Sequence, residues 1–264
     1  MRVYDTGLLF LTLLLNCGRM KALPIFLLFF ACAALAETPV NTAIVPTGKL
    51  ENDFYQWQPR HEAVMAAKEK INPEVVFLGD SITHLWAGEP NEPKGNRGVE
   101  AMKSLLGDRP YLNLGFGWDR TQNVLKRLEL GELDGLKPKV VVIHIGTNNL
   151  AGTKNARENT PEEIAEAIGL IVDKVREKCP SAKIILMAVF PRGQNPTDPK
   201  RAKIAQINER IAKQAEKPNV VFLDITSKLT NPDGTISKEV MGDYLHPAAK
   251  GYAIWAEALK PMLP

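Results

Sequence analysis

The sequence predicts an α/β fold in which a parallel sheet of about five strands is covered by helices on both faces. Short apolar runs alternate along the chain with longer stretches whose apolar residues recur at helical spacing. Apart from Asn113, His144 and the lysines at 139 and 183, these runs are continuously apolar, as expected for strands that are buried on both faces of a sheet. The predicted strands are residues 75–78, 111–114, 139–145, 183–189 and 220–223.

Helical spacing between these runs predicts the covering helices. The clearest is 161–178, where Pro161 follows Thr160 and an apolar stripe continues to Val175. The other predicted helices are 59–70, a short helix from residue 82, 99–106, a helix that ends at 130, 200–216 and 251–259. Since there are no internal repeats and no change of composition, we expect one domain. The flavodoxin-like strand order, in a three-layer arrangement, is the commoner one at this size.

The N-terminal residues have the pattern of a signal peptide rather than of a folded domain. Lys21 follows Met20, an apolar run covers 25–30, and Ala-Leu-Ala at 34–36 is a small-residue cleavage site. We therefore predict a signal peptide over residues 1–36, with Met20 as the candidate true start. Residues 37–52 are predicted to be an N-terminal arm or linker, and residues 53–264 the folded domain.

Export and composition limit the partners that we expect. Cleavage after residue 36 predicts a secreted or periplasmic protein without a stable membrane span. The net charge of the 264-residue chain is +3, which gives no reason to expect nucleic acid as a partner. Two of the three cysteines leave with the signal peptide, and we expect Cys179 to serve in packing. The sequence leaves a homodimer open.

Ser81 occupies the position around which the predicted domain is organised. The strand 75–78 ends at Gly79, and a helical pattern resumes directly after Ser81. A hydroxyl at the carboxyl end of a strand lies where open α/β sheets bind ligands. It also lies at a helix N-terminus, where free N–H groups favour negative charge. Ser81 is thus a candidate nucleophile, although Asp80 and Ser81 can equally be simple helix caps.

Asp243 and His246 stand three residues apart in the predicted loop before the last helix. Such an aspartate can bind the Nδ1–H of the imidazole and leave Nε2 to act as a general base for a serine. The alternative is a helix-capping aspartate beside a surface histidine. The other three histidines do not form a cluster at ligand spacing with His246, so no metal site is predicted.

Two further loops follow the second and third strands at the same edge of the sheet. Asn148 lies in Gly-Thr-Asn-Asn after the third strand, and Gly117 and Trp118 lie in the turn after the second. The Asn148 amide and the backbone N–H groups of that turn can donate to a developing oxyanion, as acyl transfer requires. Asn148 can equally close a turn.

These blocks together resemble the GDSL, or SGNH, hydrolase family. Gly-Asp-Ser at 79–81, the glycine turn at 115–118, Gly-Thr-Asn at 146–148 and Asp-x-x-His at 243–246 occur in the family's order. Further stretches, including Asn-Leu-Gly-Phe-Gly at 113–117 and Pro-Arg-Gly at 191–193, are similar to the catalytic subunits of intracellular platelet-activating factor acetylhydrolases. The resemblance runs from about residue 54 onwards.

The resemblance implies a role for each of these residues. Ser81 is the implied nucleophile, His246 the base and Asp243 the acid that orients it. The implied oxyanion hole consists of N–H groups of Ser81 and of the 117–118 turn, with the Asn148 amide. Trp118 departs from the family, because those relatives have a second glycine there. If the turn requires a positive φ, a tryptophan is strained; its indole can also wall the pocket or stack on a sugar ring.

The function expected from the sequence is an exported serine esterase that removes short acyl groups, acetyl first, from carbohydrate, with no metal or organic cofactor. Ile82, Thr147 and Leu245 neighbour the catalytic positions and are predicted to line a small acyl pocket. One alternative is an esterase that acts on lysophospholipids or lipids like platelet-activating factor. The rival from another class is a non-catalytic carbohydrate-binding domain on the same fold.

Overall fold

The computed structural model describes residues 40–90 and 96–263. The predicted signal peptide lies outside the described residues. Five strands form one parallel sheet in the order β2-β1-β3-β4-β5, which confirms the predicted flavodoxin-like arrangement. The strands are β1 (Val75–Gly79), β2 (Tyr111–Gly115), β3 (Val140–His144), β4 (Lys183–Met187) and β5 (Val220–Leu223).

Eight α-helices connect and cover these strands in the described part of the chain. They are α1 (Trp57–Lys70), α2 (Ser81–His84), α3 (Val99–Leu106), α4 (Thr121–Glu129), α5 (Pro161–Lys178), α6 (Pro199–Ala212), α7 (Thr226–Leu229) and α8 (Ala249–Leu259). Helix α5 has the predicted bounds because the Thr160 hydroxyl accepts from the Glu163 N–H while the Glu163 carboxylate accepts from the Thr160 N–H.

Several predicted helices begin or end at other residues, and the largest differences are in α1, α6 and α8, which begins at Ala249 instead of residue 251. Helix α1 starts two residues before Pro59, since a proline is tolerated in the first turn, where its missing N–H would have no partner. The predicted helix 200–216 is α-helical only to Ala212 and continues as a 3-10 turn over Lys213–Glu216. Pro218 stands two residues beyond this turn, and it disfavours helical geometry in Lys217, the residue before it, which is extended.

The core lies on both faces of the sheet. Val76 and Leu78 of β1 pack into one buried cluster with α1, α4, α5 and α6, whereas Val75 and Phe77 pack into another with α2, α3, α7 and α8. This alternation follows from the two-residue period of a strand. The five strands run in the same direction, so the loops after β1, β2 and β3 meet at one edge.

The described part of the N-terminal arm lies against this domain. A 3-10 helix, Thr42–Ile44, is capped by Asn41, whose side-chain amide donates to the carbonyl of Glu163 in α5 at 3.2 Å. The Thr121 hydroxyl at the start of α4 donates to the carbonyl of Ala43 at 2.9 Å. No helix in residues 40–90 and 96–263 has the length and apolar character to cross a bilayer.

Candidate active site

Ser81 is the first residue of α2, directly after β1. Asp80 precedes it as the helix cap, and its carboxylate accepts from the Ile82 N–H at 2.9 Å. Burial raises the pKa of Asp80 to about 7 despite that hydrogen bond. Because the first N–H groups of a helix have no partner within it, the Ser81 N–H is free to donate to a ligand beside its own hydroxyl.

The loop before α8 brings His246 to Ser81. The Nε2 atom of His246 lies 2.9 Å from Ser81 Oγ, and its Nδ1 lies 2.7 Å from Asp243 Oδ2. The other carboxylate oxygen accepts from the N–H groups of Leu245 and His246, at 3.1 and 2.7 Å. Partial burial raises the pKa of Asp243, but these hydrogen bonds and the neighbouring imidazole outweigh it and lower the pKa overall. The structure thus brings the three predicted side chains into one hydrogen-bonded chain.

Asn148 reaches the same site from the loop after β3. It lies in a 3-10 turn, Thr147–Leu150, that follows Gly146 at a φ of 123°. One hydrogen of its amide nitrogen is donated to the carbonyl of Asp119 at 3.0 Å. An amide carries two hydrogens, so the second remains for a ligand. Asn148 is buried and lines the cavity at Ser81.

The turn after β2 offers only one of the two backbone N–H groups that were predicted to donate to the oxyanion. The Gly117 N–H is already engaged, because it donates to Nδ1 of His84 at 3.2 Å. The prediction that this N–H serves the oxyanion hole is therefore wrong. The N–H of Trp118 makes no hydrogen bond to any residue that the structure describes, so it is the donor that the turn offers.

The turn does require a positive φ at residue 118, because the φ of Trp118 is 60°. A tryptophan in this left-handed region is strained, typically by about 1–2 kcal/mol. Its side chain is 38% exposed and lines the cavity. The indole therefore walls the pocket, as one of the two interpretations of the sequence expected.

His84 is a structural neighbour of the site that the sequence did not assign. It lies in α2 three residues after Ser81, buried against the rings of Phe54 and Tyr55. Burial, with the charges of Arg60, Lys49 and Arg127, lowers the pKa of His84 to about 2. The ring is therefore neutral, and since Nδ1 accepts from Gly117, Nε2 carries the proton.

A cavity of about 310 Å³ opens over Ser81. Leu245 lines it as predicted, but Ile82 and Thr147 do not. Ile82 points into the core cluster on the α3 and α8 face of the sheet, and the Thr147 hydroxyl is held by Arg192 at 3.2 Å. The lining residues are Asp53, Phe54, Ser81, Leu85, Arg97, Trp118, Asn148, Ala151, Arg192, Asp243, Leu245 and His246.

Asp53 and Phe54 were missed by sequence reasoning, because they precede the first predicted helix in a stretch without periodicity. A Cβ placed on Gly117 would lie 1.8 Å from Asp53 Oδ2 and 3.0 Å from the ring of Tyr55. The chain before α1 therefore lies directly on the Gly117 turn. The requirement for glycine at 117 was the one available signal, but it does not tell which segment makes the contact.

A buried ionic cluster connects the turn after β2 to α4 and to the end of β1. Arg127 of α4 donates to Asp119 at 2.7 Å, to Glu132 at 2.5 Å and to the carbonyl of Gly79 at 3.1 Å. All three charged side chains are fully buried. Because Asp119 also anchors Asn148 through its carbonyl, the cluster ties the loops after β1, β2 and β3 together. Within residues 40–90 and 96–263, no three metal-ligating side chains of the His, Cys, Asp or Glu type converge.

Comparisons with known proteins agree with this geometry. Residues 77–254 match the model of the GDSL-like lipase/acylhydrolase family. The chain is 37% identical over 209 residues to the human platelet-activating factor acetylhydrolase IB subunit alpha1. The aligned residues are 79% of this chain and 83% of the relative. The rat alpha2 subunit is 38% identical over 200 residues, or 75% and 79% of the two chains.

Solved structures agree on the fold. An acetylxylan esterase from Geobacillus stearothermophilus superposes with a TM-score of 0.59 at 21% identity, over 73% of this chain and 94% of its own. A GDSL-like lipase from Bacteroides thetaiotaomicron superposes with a TM-score of 0.60 at 20% identity, over 77% and 96%.

Proposed function

Since the chain belongs to the GDSL-like lipase/acylhydrolase family and is a carboxylic ester hydrolase, we propose that it is an exported serine esterase that removes acetyl and other short acyl groups from carbohydrate esters. The observation that carries the proposal is the hydrogen-bonded chain of Ser81, His246 and Asp243 in the wall of the cavity.

The proposed reaction follows from this order of contacts. The Ser81 hydroxyl attacks the ester carbonyl while its proton passes to Nε2 of His246, and Asp243 stabilises the imidazolium. The Ser81 N–H, the Trp118 N–H and the Asn148 amide stabilise the tetrahedral oxyanion. Collapse releases the alcohol, which takes the proton from His246, and leaves an acyl-enzyme. Water, deprotonated by His246, then attacks the acyl-enzyme. The bond to Ser81 Oγ breaks, His246 returns its proton to that oxygen, and the carboxylic acid is released.

The size and the lining of the cavity favour a short acyl group on a polar alcohol. A cavity of about 310 Å³ is at the small end of ligand pockets. Charged side chains make up a large part of its wall, so a long alkyl chain would desolvate them without compensation. Phe54 and Trp118 are each 38% exposed beside Ser81, and such aromatic faces suit a sugar ring.

A lipid ester is the second candidate, and a specific observation favours it. Arg97 and Arg192 both line the cavity, and guanidinium groups bind phosphate well. A phospholipid that carries a short acyl group would place such a phosphate near the scissile ester. Several curated relatives are named as platelet-activating factor acetylhydrolase subunits, which also supports this candidate.

The test is a series of p-nitrophenyl esters from acetyl to octanoyl, with the protein from residue 37 onwards. Ser81→Ala should abolish turnover and labelling by an organophosphonate, whereas Ser104→Ala on the exposed face of α3 should behave as wild type. A rate that falls beyond propionyl, followed by release of acetate from acetylated xylo-oligosaccharides, is expected. Preferred release from a short-chain phosphatidylcholine would establish the lipid candidate instead. No cleavage and no labelling would overturn the esterase and favour a carbohydrate-binding domain.

Export is tested separately by expressing the chain from Met20 in a Gram-negative host and sequencing the N-terminus of the protein in each fraction. The signal-peptide pattern supports a mature periplasmic protein that begins at Glu37. An uncleaved chain that remains in the cytoplasm would overturn this part of the proposal.

A further inference from the structure

The carbonyl of Gly117 is held by two side chains from the segment before α1. The Lys49 ammonium donates to it at 2.8 Å, and the Tyr55 hydroxyl donates to it at 3.0 Å. Lys49 also donates to the Tyr55 oxygen at 3.0 Å and lies 4.5 Å from the centre of that ring. Tyr55 is buried and Lys49 is half-buried, so the hydrogen bond from Tyr55 is shielded from water and the one from Lys49 is partly shielded.

This carbonyl shares a peptide group with the N–H that the turn offers to a ligand. The C=O of Gly117 and the N–H of Trp118 lie in one rigid plane and point in opposite directions. A side chain that fixes the carbonyl therefore fixes the direction of the N–H. Donors on the carbonyl oxygen, one of them cationic, also polarise the peptide and strengthen its N–H as a donor.

The other side of Gly117 is fixed as well. Its own N–H donates to the buried, neutral His84, which stands three residues after Ser81 in α2. The two peptide groups that flank Gly117 are thus each held by side chains, one from the nucleophile's helix and one from the N-terminal segment. Such contacts can maintain the strained φ of 60° at Trp118.

We infer that Lys49 and Tyr55 are positioning residues for the oxyanion hole: they orient and polarise the Gly117–Trp118 peptide so that the Trp118 N–H meets the charge that develops on the substrate. The inference rests on the proposed esterase function. It assigns a part in the reaction to a segment that lies outside the family match at residues 77–254.

The positive charge of Lys49 does not by itself explain its proposed role, because other charged groups surround the ammonium. Asp119, Asp53 and Glu51 surround the ammonium, together with Arg127. A nonspecific electrostatic effect would be opposed by three carboxylates, so the directed hydrogen bond to Gly117 is the distinctive contribution. Tyr55 has no charge, and its removal therefore tests the hydrogen bond separately.

The experiment compares Lys49→Met, Tyr55→Phe and the double variant with wild type on p-nitrophenyl acetate. We expect kcat to fall about 10- to 100-fold in each single variant with KM within about two-fold, since loss of a complete oxyanion donor costs about 10²–10³-fold. The double variant should lose less than the product of the two single losses, because both side chains hold one carbonyl. Lys49→Arg should recover part of kcat.

Lys68→Met is the matched control. Lys68 is also half-buried and donates to a turn carbonyl, that of Gly131, but it is not among the residues that line the cavity. The Lys68→Met variant should be less stable to thermal unfolding than wild type, and its kcat should not fall selectively. The second readout is the affinity of a short alkyl boronic acid, which forms a tetrahedral adduct with a catalytic serine. In the Lys49 and Tyr55 variants this affinity should fall by the same factor as kcat/KM.

Two outcomes would overturn the inference. One is an unchanged kcat in folded Lys49→Met and Tyr55→Phe. The other is a fall in kcat that is accompanied by an equal change in KM and that also occurs in Lys68→Met. Wild-type turnover and its loss in Ser81→Ala are measured in the same assay. If the wild type is active and the Lys49 and Tyr55 variants keep its kcat, only the positioning role is rejected. If the wild type is inactive, the proposed esterase function is rejected.

Discussion

The imidazole of His246 lies 2.9 Å from the hydroxyl of Ser81 although 165 positions separate the two residues. Ser81 stands at the start of α2, directly after the first strand, and His246 stands in the loop before α8. Their contact depends on a loop that is closed by a hydrogen bond from the Gly242 N–H to the His246 carbonyl at 3.1 Å. The orientation of the ring within this loop is set by Asp243, and this can be tested directly.

Asp243→Asn should lower kcat by about 10⁴-fold while the loop keeps its shape. The amide oxygen can still accept from the N–H groups of Leu245 and His246, but its NH₂ group would donate to Nδ1 and place the ring proton on Nε2. The ring then cannot accept the proton of Ser81. Steady-state kinetics on p-nitrophenyl acetate measure the loss. Asp233→Asn, in an exposed turn with the same type of contact to Thr235, is the control and should retain full activity.

Replacement of Trp118 separates backbone strain from the role of its ring. Trp118→Gly and Trp118→Ala both remove the indole, but only glycine adopts a φ of 60° without cost. We expect the glycine variant to have a free energy of unfolding about 1 kcal/mol higher than the alanine variant. Urea unfolding measures this difference. Ala151→Gly, in the same cavity wall at a φ of −108°, should instead destabilise. Equal stability of the two Trp118 variants would contradict the strain.

Arg127→Met should cost about 3–5 kcal/mol of the free energy of unfolding, because Asp119 and Glu132 would remain buried without their cation. The exposed pair of Arg176 and Asp173 is the comparison, and Arg176→Met should cost less than about 1 kcal/mol. Urea unfolding of both variants measures the contrast. Similar losses in the two would show that solvent reaches the Arg127 cluster.

The pH dependence of kcat should report Lys49. Burial lowers the pKa of Lys49 from its ordinary 10.5, although Asp119, Asp53 and Glu51 act in the opposite direction. The ammonium therefore loses its proton at a lower pH than an exposed lysine, and kcat should decline on the alkaline side as that happens. Lys49→Arg should move the decline to higher pH, since a guanidinium stays charged. Profiles corrected with the Ser81→Ala rate test this; an identical decline in Lys49→Met would contradict it.

The parallel sheet and the meeting of its loops at one edge followed from the sequence because both depend on local patterns, whereas the strand order was expected only as the commoner one at this size. Continuous apolar strands require a doubly covered parallel sheet, and a parallel sheet places every strand-to-helix loop at one edge. The positions of Ser81 and Asn148 in the cavity wall follow from that rule. The contact of Asp243 with His246 follows from their spacing of three residues.

The parts that escaped prediction depend on contacts between distant segments. Gly117 donates to His84 across 33 positions, and Lys49 reaches Gly117 across 68. No spacing or motif indicates such partners. Ile82 was assigned to the pocket by adjacency to Ser81, but consecutive residues of a helix point in different directions. It packs into the core instead. The positive φ of Trp118 likewise depends on how the turn is held from outside.

The position of Lys49 and Tyr55 bears on where the catalytic domain should be cut when it is produced as a separate fragment. The family match begins at residue 77, and the first long helix begins at Trp57. A fragment trimmed to either boundary would keep Ser81, Asp243 and His246, yet it would lose the cavity wall at Asp53 and Phe54 and both donors on Gly117. Weak turnover by such a fragment would then reflect the choice of its first residue and not the catalytic power of the complete enzyme.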